Sequence, residues 1–350
     1  MKTTKLFTFG AISAIPFFLF SCISSESSMP LEASSKSEEV VININVPDLE
    51  NTRADQGYKL RYVAKIFEGE STAAIGAYLQ RKEIAGDDLS ENNRTNQIVF
   101  KVNPNVYYTI MVFADYIPAD YAFKDDTDNA YGDYFYDTDV KVGVTSITKN
   151  VNMRPTPGLN SDDISADFFN NDNYDCFFAS VSFQKTEEEK VVDLTLKRAL
   201  ARVELRDIST VTGDYQLKVN KLGYRPGFAM DTKIVTDQTA NAALSLSGTQ
   251  NTAGEDILYF YVFANDNESN QYASIDFSVT TPAGETQNFS ISKIPVKKNY
   301  KTVVRGSYLE PQQPEDDPSG GSSTKVGDII LNLSTDQDWT DSFDYSMSRL

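Results

Sequence analysis

Apolar and polar residues alternate with a period of two along most of this chain. The clearest examples are residues 40–46, 60–66 and 275–279, in which every second residue is aliphatic or aromatic. Successive side chains of a β-strand point to opposite faces, so this alternation predicts strands with one buried face. Stretches with apolar residues at helical spacing are scarce. The pattern therefore predicts an all-β fold.

Two stretches are apolar on both faces, residues 107–114 and 257–264. This is typical of a central strand that is covered on each side, so each stretch is expected at the heart of its own sandwich. Turn clusters rich in Asn, Asp and Gly recur between the strands and favour two β-sandwiches in tandem over one large barrel. The strand that starts at Leu200 places the predicted boundary near residue 197, which gives domains at 54–197 and 198–309.

A linker and a last strand follow the second predicted domain. Residues 310–324 are rich in Pro, Gly, Ser and acidic residues, a composition that buries too little apolar surface to order itself. The strand predicted at 326–334 carries alternating apolar residues at Ile329, Leu331 and Leu333. Residues 310–350 are thus predicted to be a flexible tether with a tail strand that can move.

The first 22 residues have the pattern of an export signal. Lys2 and Lys5 precede an apolar stretch at 6–20 that is too short for a membrane span. The segment ends in Leu-Phe-Ser-Cys at Cys22, which resembles the lipobox of bacterial lipoproteins. The resemblance implies cleavage before Cys22 and acylation of it, including palmitate, with anchoring in the outer membrane. The alternative is an ordinary secretory signal with an incidental cysteine.

Composition argues against several functions. A formal net charge of -18 excludes nucleic acid as a partner, because phosphate binding needs clustered Lys and Arg. The 350 residues include no histidine, which removes the commonest general base and most zinc sites. Cys176 is the one cysteine besides Cys22, so stability must come from the core. We expect no enzymatic activity, no cofactor and no metal site.

One acidic and aromatic segment, Asp125 to Asp139, stands out from this background. Its six aspartates and four aromatic residues suit calcium with a stacked sugar ring, because carboxylates bind the ion and flat rings present an apolar face. It does not match the EF-hand loop, since Ala130 occupies the third ligand position. The competing interpretation is a solvated loop whose aromatics pack onto the sandwich. Trp339, past the tail strand, is expected to anchor that tail in a groove.

Several short motifs, in order along the chain, resemble those of the fimbrillin family, the type V pilins of Bacteroidales, and related fimbrillin-like lipoproteins. The first resembles the site at which an arginine-specific protease trims the precursors, which implies cleavage between Arg53 and Ala54. The others resemble the mid-chain strand and the late segment of the family. The motifs are Asn51-Thr52-Arg53-Ala54-Asp55, then Arg198, Ala201 and Arg202, then Asn299, Thr302 and Gly306. The resemblance implies two transthyretin-like β-sandwiches and assembly by strand exchange.

The resemblance also implies a mechanism and a location. Residues 23–53 would be a propeptide whose leader strand, Val40, Ile42, Ile44 and Val46, completes the first sandwich until cleavage removes it. The tail strand of another pilin subunit, self or related, would fill the groove. Two alternatives stay open: Arg53 is an ordinary surface residue in a polar turn, and the tail strand packs on its own domain. The chain is then expected to be a structural or accessory subunit of a surface pilus, supporting adhesion to a host protein or glycan. The alternative is a non-polymerising surface lipoprotein that binds glycans.

Overall fold

Strands dominate the part of the chain that the computed structural model describes, residues 38–46, 57–72, 75–85, 95–124, 131–138, 150–159, 163–186, 190–229, 235–252, 255–265, 271–310 and 330–334. The strands are β1 (Glu38–Asn45), β2 (Tyr58–Gly69), β3 (Tyr78–Ala85), β4 (Thr95–Val102), β5 (Tyr107–Pro118), β6 (Tyr136–Asp137), β7 (Asn150–Met153), β8 (Phe177–Gln184), β9 (Lys190–Thr195), β10 (Lys197–Arg198), β11 (Leu200–Asp207), β12 (Gly213–Ala229), β13 (Val235–Gln250), β14 (Asp256–Phe263), β15 (Tyr272–Thr280), β16 (Thr286–Pro295), β17 (Lys301–Gly306) and β18 (Ile330–Ser334). Helical structure in these residues is limited to the 3-10 turns Ala166–Phe168 and Asp172–Tyr174. The all-β prediction is confirmed.

The first two sheets are built mainly from the first half of the chain. One has the strand order β4-β1-β9 and the other β10-β8-β5-β2-β3. β5 lies between β2 and β8 and is buried along almost its whole length, as its run of apolar residues predicted. Asn96 of β4 donates to the Tyr62 hydroxyl of β2 over 3.1 Å, which links the inner faces of the two sheets.

The other two sheets have the orders β14-β11-β17-β18 and β16-β15-β12-β7-β6, with β13 paired to β12. β11 and β17 run parallel, whereas β11 and β14 run antiparallel. The ring of Tyr308 packs against Phe277 and Phe289 of the second of these sheets. β6 and β7, which precede residue 197, belong to a sheet whose other strands all follow it. The domain division near residue 197 stays a prediction.

The position expected for the second wholly apolar stretch is wrong. All of this stretch except Ala264 lies in β14, which is an edge strand of its sheet rather than a central one. A loop rather than a strand covers its outer edge. The Asn170 backbone N–H donates to the Tyr259 carbonyl over 2.9 Å, and the Tyr259 N–H donates to the Asn170 side chain over 2.8 Å. Phe169 packs on Phe260 beside these bonds. Burial by this loop explains the apolar composition.

The described residues, from Glu38 onwards, belong to one compact unit. Among the residues described, no helix has the length and apolar character needed to cross a membrane. Several predicted features lie outside the described residues: Cys22, Arg53, Ala54, Ile329, Trp339 and much of the acidic run, 125–130 and 139.

Candidate functional site

The leader strand β1 is the middle strand of its sheet. It pairs antiparallel with β4 from Glu38 to Asn45 and parallel with β9 from Val40 to Asn45. Neighbouring strands lie about 4.8 Å apart, so β4 and β9 are separated by about 10 Å and meet only through β1. Removal of β1 would leave unpaired N–H and C=O groups on two facing edges. We call the space that β1 fills, between β4 and β9, the slot.

The inward side of the slot is apolar. Val40, Ile42, Ile44 and Val46 are all 0% exposed and belong to the main hydrophobic core. Their pairing partners on the same face include Ile98 and Phe100 of β4 and Val192 and Leu194 of β9. Burial of an aliphatic side chain contributes about 1.5–3 kcal/mol, so these four contribute about 6–12 kcal/mol before ordering costs. The leader strand is thus an integral part of the first sandwich.

The outward side of the slot is organised in rows, each of which crosses the sheet. Glu39 faces Lys101, and Val41 lies between Val99 and Val191. Asn43 lies between Gln97 and Asp193: its amide donates to Asp193 over 2.7 Å, and its oxygen accepts from Gln97 over 2.9 Å. Asn45 lies between Thr95 and Thr195. From Glu39 to Asn45, the first row is therefore charged, the second consists of valines, the third combines amides with a carboxylate, and the fourth combines an amide with two threonines.

Both ends of the strand are fastened to β8 and β9. Glu38 pairs with Lys185, whose side chain is fully buried just past the end of β8. At the other end, the Leu196 N–H donates to the Asn45 carbonyl over 2.9 Å. The strand thus has a fixed register at its first and last residues.

A lysine lies against the outer strand of this sheet. Lys82 of β3 donates to the Val99 carbonyl of β4, and its ammonium lies over the Phe100 ring. Burial lowers the pKa of Lys82, and repulsion from Lys101 adds to the effect. Lysines at sheet edges discourage the addition of foreign strands. Lys82 therefore disfavours the addition of a further strand beside β4.

The amide row allows a first test of how the slot holds its strand. Asn43→Ala removes both side-chain hydrogen bonds, and we expect the free energy of unfolding of the full chain to fall by about 0.5–1.5 kcal/mol. Asn45→Ala, on the same strand and exposed, is the control and should change it by less than about 0.5 kcal/mol. Urea unfolding followed by circular dichroism measures both. Equal effects would contradict a role for the row.

The tail strand lies on another sheet of its own chain. β18 pairs antiparallel with β17, so that Leu331 is opposite Val304 and Leu333 is opposite Thr302. It forms the end of the order β14-β11-β17-β18, and among the described strands its one neighbour is β17. Donation of Leu331 and Leu333 to another subunit stays a prediction.

The acidic and aromatic segment is partly built into the core. Tyr131, Phe135 and Tyr136 are buried, and Phe135 packs on Tyr174 at 4.8 Å between ring centres. Asp133 is 7% exposed and accepts hydrogen bonds from Arg61 and from Thr138. Its oxygens are thus engaged by protein donors. In the described residues no group of three or more acidic or cysteine side chains is placed to hold a metal ion.

Asp133 belongs to a buried ion cluster that we define as Arg61, Arg81, Glu83, Asp115 and Asp133. Arg61 forms a bidentate pair with Asp115 at 2.9 and 2.7 Å, lies 3.0 Å from Asp133 and 3.6 Å from Glu83. Burial raises the pKa of Asp115 to about 6, while Arg61 acts in the opposite direction. Burial would also raise the pKa of Asp133, but Arg61 and Arg81 hold it below its ordinary value. The cluster fixes residues 131–138 onto β2, β3 and β5.

The mid-chain motif residues hold structural positions. Arg198 makes a bidentate pair with Asp175 at 2.7 Å. Ala201 is fully buried, and Arg202 stacks over Tyr259 at 3.8 Å while it donates to Asp172 over 2.8 Å. These contacts join β10 and β11 to the segment that contains the 3-10 turns.

The late motif residues also hold structural positions. Asn299 has a left-handed backbone with φ of 62°, which Asn tolerates well, and its N–H donates to the Leu200 carbonyl over 2.7 Å. Thr302 donates to the Pro295 carbonyl over 2.6 Å. A Cβ at Gly306 would lie 2.8 Å from the Tyr308 ring, so only glycine fits. The motif therefore positions β17, the strand on which the tail rests.

The chain belongs to a family of unknown function, DUF6562, whose profile matches residues 32–317. Among solved structures it is similar to a fimbrial assembly protein from Parabacteroides distasonis, at 12% identity over 85% of this chain and 95% of the other, with a TM-score of 0.41. Two further similar structures are from Porphyromonas gingivalis. The tip fimbrial protein Mfa3 is 12% identical over 85% of this chain and 98% of the other, with a TM-score of 0.41. The fimbrial anchor protein Mfa2 is 13% identical over 85% of this chain and 98% of the other, with a TM-score of 0.44.

The comparison with curated proteins finds no match. The family description assigns no activity.

Proposed function

We propose that this chain is a structural or accessory subunit of a cell-surface pilus, without enzymatic activity, whose assembly starts when its leader strand is cut from the rest of the chain. The observation that carries the proposal is the position of β1, central in its sheet, with the inward face wholly buried. The proposed cleavage after Arg53 lies eight residues beyond the end of β1. The cut would separate this strand from the sandwich that it completes.

Cleavage would make β1 easier to displace, although β1 would still occupy the slot immediately after the cut. While the chain is intact, β1 is held at a high effective concentration by its covalent link. After the cut it becomes a peptide that another strand can displace. An open slot would present two unpaired strand edges over an apolar floor, which is a strong template for strand addition.

The tail strand of a neighbouring subunit is the proposed replacement. Within the part of its own chain that the structure describes, β18 pairs with β17 alone, whereas a strand in the slot pairs on both sides. The exchange therefore gains backbone hydrogen bonds along a second strand edge and would place Leu331 and Leu333 over the apolar floor of the slot. Because the slot and the tail lie on different surfaces, the contact repeats head to tail and gives an open filament.

The proposed location follows from the same order of segments. Cys22 would carry the lipid that holds the precursor at the outer membrane, and Arg53 follows both this anchor and β1 along the chain. A single cut would thus remove the leader strand and the anchor together. The proposed partners are other pilin subunits, and adhesion would involve a host protein or glycan.

Limited digestion with an arginine-specific protease tests the proposal. We expect the purified precursor to be cut between Arg53 and Ala54, as mass spectrometry would show, and then to form a ladder of SDS-resistant multimers. The Arg53→Gln precursor is the control and should stay uncut at this site and monomeric. A trimmed protein that remains monomeric would contradict the proposal. Binding of a polysaccharide by that monomer would favour a non-polymerising glycan-binding lipoprotein instead.

A further inference from the structure

We infer that the slot is matched to the tail of a second copy of this chain and that Asn332 sets the register of the exchanged strand. This inference rests on the proposed function and names the partner. Residues 328–334 repeat the chemistry of residues 39–45 position by position. The two segments read Asp-Ile-Ile-Leu-Asn-Leu-Ser and Glu-Val-Val-Ile-Asn-Ile-Asn. A tail that enters in the direction of β1 would therefore reproduce in kind the contacts that residues 39–45 make.

The inward face alone leaves two registers open. In the first, which we call the matched register, Ile329, Leu331 and Leu333 replace Val40, Ile42 and Ile44, and Thr335 takes the place of Val46. In the second, the slid register, the tail is displaced by two residues, so that the same three residues replace Ile42, Ile44 and Val46 and Gly327 takes the place of Val40. Both registers keep aliphatic side chains over the core. Displacement by one residue in either direction would put Asn332 inside, and displacement by two the other way would put Thr335 and Gln337 inside.

The outward rows distinguish the two registers. In the matched register Asp328 faces Lys101, Ile330 lies between Val99 and Val191, and Asn332 lies between Gln97 and Asp193. Each row then keeps the chemistry that Glu39, Val41 and Asn43 give it now. In the slid register Asp328 would lie between two valines and Ile330 between the amide and the carboxylate. Asn332 is decisive because Asp193 and Gln97 already bond to an asparagine in this row.

The buried lysine at the start of the slot favours the same register. Lys185 pairs with Glu38 in the precursor. The matched register places Gly327 at this position, which leaves room for solvent, whereas the slid register places Lys325 there. Two cations would then meet at a side chain that is 0% exposed. Repulsion of like charges in a site of low dielectric opposes the slid register.

Disulfide cross-linking between copies reads the register directly. One copy carries Val99→Cys, and the other carries Ile330→Cys or Asp328→Cys; both are trimmed, mixed and oxidised, and the linked peptides are identified by mass spectrometry. Opposite residues on antiparallel strands lie at about 4.5–5.5 Å between Cα atoms, within the range for a disulfide. The native Cys176 is fully buried and Cys22 leaves with the propeptide. Residue 330 links to residue 99 in the matched register, and residue 328 links to it in the slid register.

We expect the 99–330 link to exceed the 99–328 link by about tenfold or more. Adding Asn332→Leu to both donors should reduce this ratio by about tenfold, whereas Ser334→Ala, one row further along, should leave it unchanged. A dominant 99–328 link, or a ratio that Asn332→Leu does not alter, would overturn the inference about register. Multimers without either link would exclude the tail from the slot. Trimmed protein that forms no multimers would instead contradict the proposed function itself.

Discussion

Asp115→Ala is expected to lower the free energy of unfolding by about 3–5 kcal/mol. The substitution removes the bidentate partner of Arg61, whose side chain is fully buried and cannot reach water. Loss of one member of a buried ion pair leaves the other charge uncompensated, which costs far more than the net contribution of the pair. Asp133 and Glu83 stay close to Arg61 at 3.0 and 3.6 Å, so we expect the lower part of the range.

Asp120→Ala provides the control for this prediction, since Asp120 is an exposed aspartate that follows the end of β5. It should change the free energy of unfolding by less than about 0.5 kcal/mol. Asp115→Asn should lower the free energy of unfolding by an amount between these two values, because the amide keeps one acceptor for Arg61 but loses the charge. Urea unfolding of the three variants gives the ranking. An Asp115→Ala protein as stable as the Asp120→Ala protein would show that the cluster contributes nothing.

The buried ion cluster shows why the acidic segment could not be interpreted from sequence. Clustered aspartates are usually solvated, and a buried one needs a cation that the local sequence does not reveal. Arg61 and Arg81 lie 72 and 52 residues before Asp133 and reach it only because β2 and β3 pair side by side. Pairing between distant strands depends on topology, and the period of the sequence does not encode topology. The aromatic residues follow the same logic and pack inward.

The leader strand was predictable because its signal is local. Alternation of Val40, Ile42 and Ile44 with Val41, Asn43 and Asn45 gives both the strand and its buried face. Its position between β4 and β9 was not, since the period says nothing about which strands are neighbours. β14 shows the reverse error: an apolar stretch predicted a central strand, but a loop at Asn170 supplies the cover. The sequence correctly predicted that this stretch is buried, but it did not predict that a loop buries it.

The slot and the ion cluster have different parts in the first sandwich. The cluster ties β2, β3 and β5 to the loop at 131–138, within strands that trimming would leave in place. The slot, by contrast, is closed by a strand that lies on the other side of the proposed cut. Stability that β1 contributes is therefore available to the precursor alone. This separation makes the role of the leader strand open to a direct test.

Ile42→Ala is expected to destabilise the precursor by about 2–5 kcal/mol and to leave the assembled multimers unaffected. Ile42 is fully buried at the centre of the slot and pairs with Ile98 and Val192, so truncation creates a cavity in the core. If trimming removes the leader, the multimers contain no residue 42. The temperature at which the multimers dissociate in SDS should then equal that of the unsubstituted protein.

Leu331→Ala is the reciprocal variant, because Leu331 would take the place of Ile42 in the slot. We expect it to lower the dissociation temperature of the multimers and to leave the unfolding of the first sandwich in the precursor unchanged, since β18 pairs with β17 on a different sheet. Val41→Ala, on the outward face of β1, controls for the loss of any valine or isoleucine from that strand and should cost the precursor less than Ile42→Ala. Multimers weakened by Ile42→Ala would show that the leader strand stays in the assembled subunit, and strand exchange would be excluded.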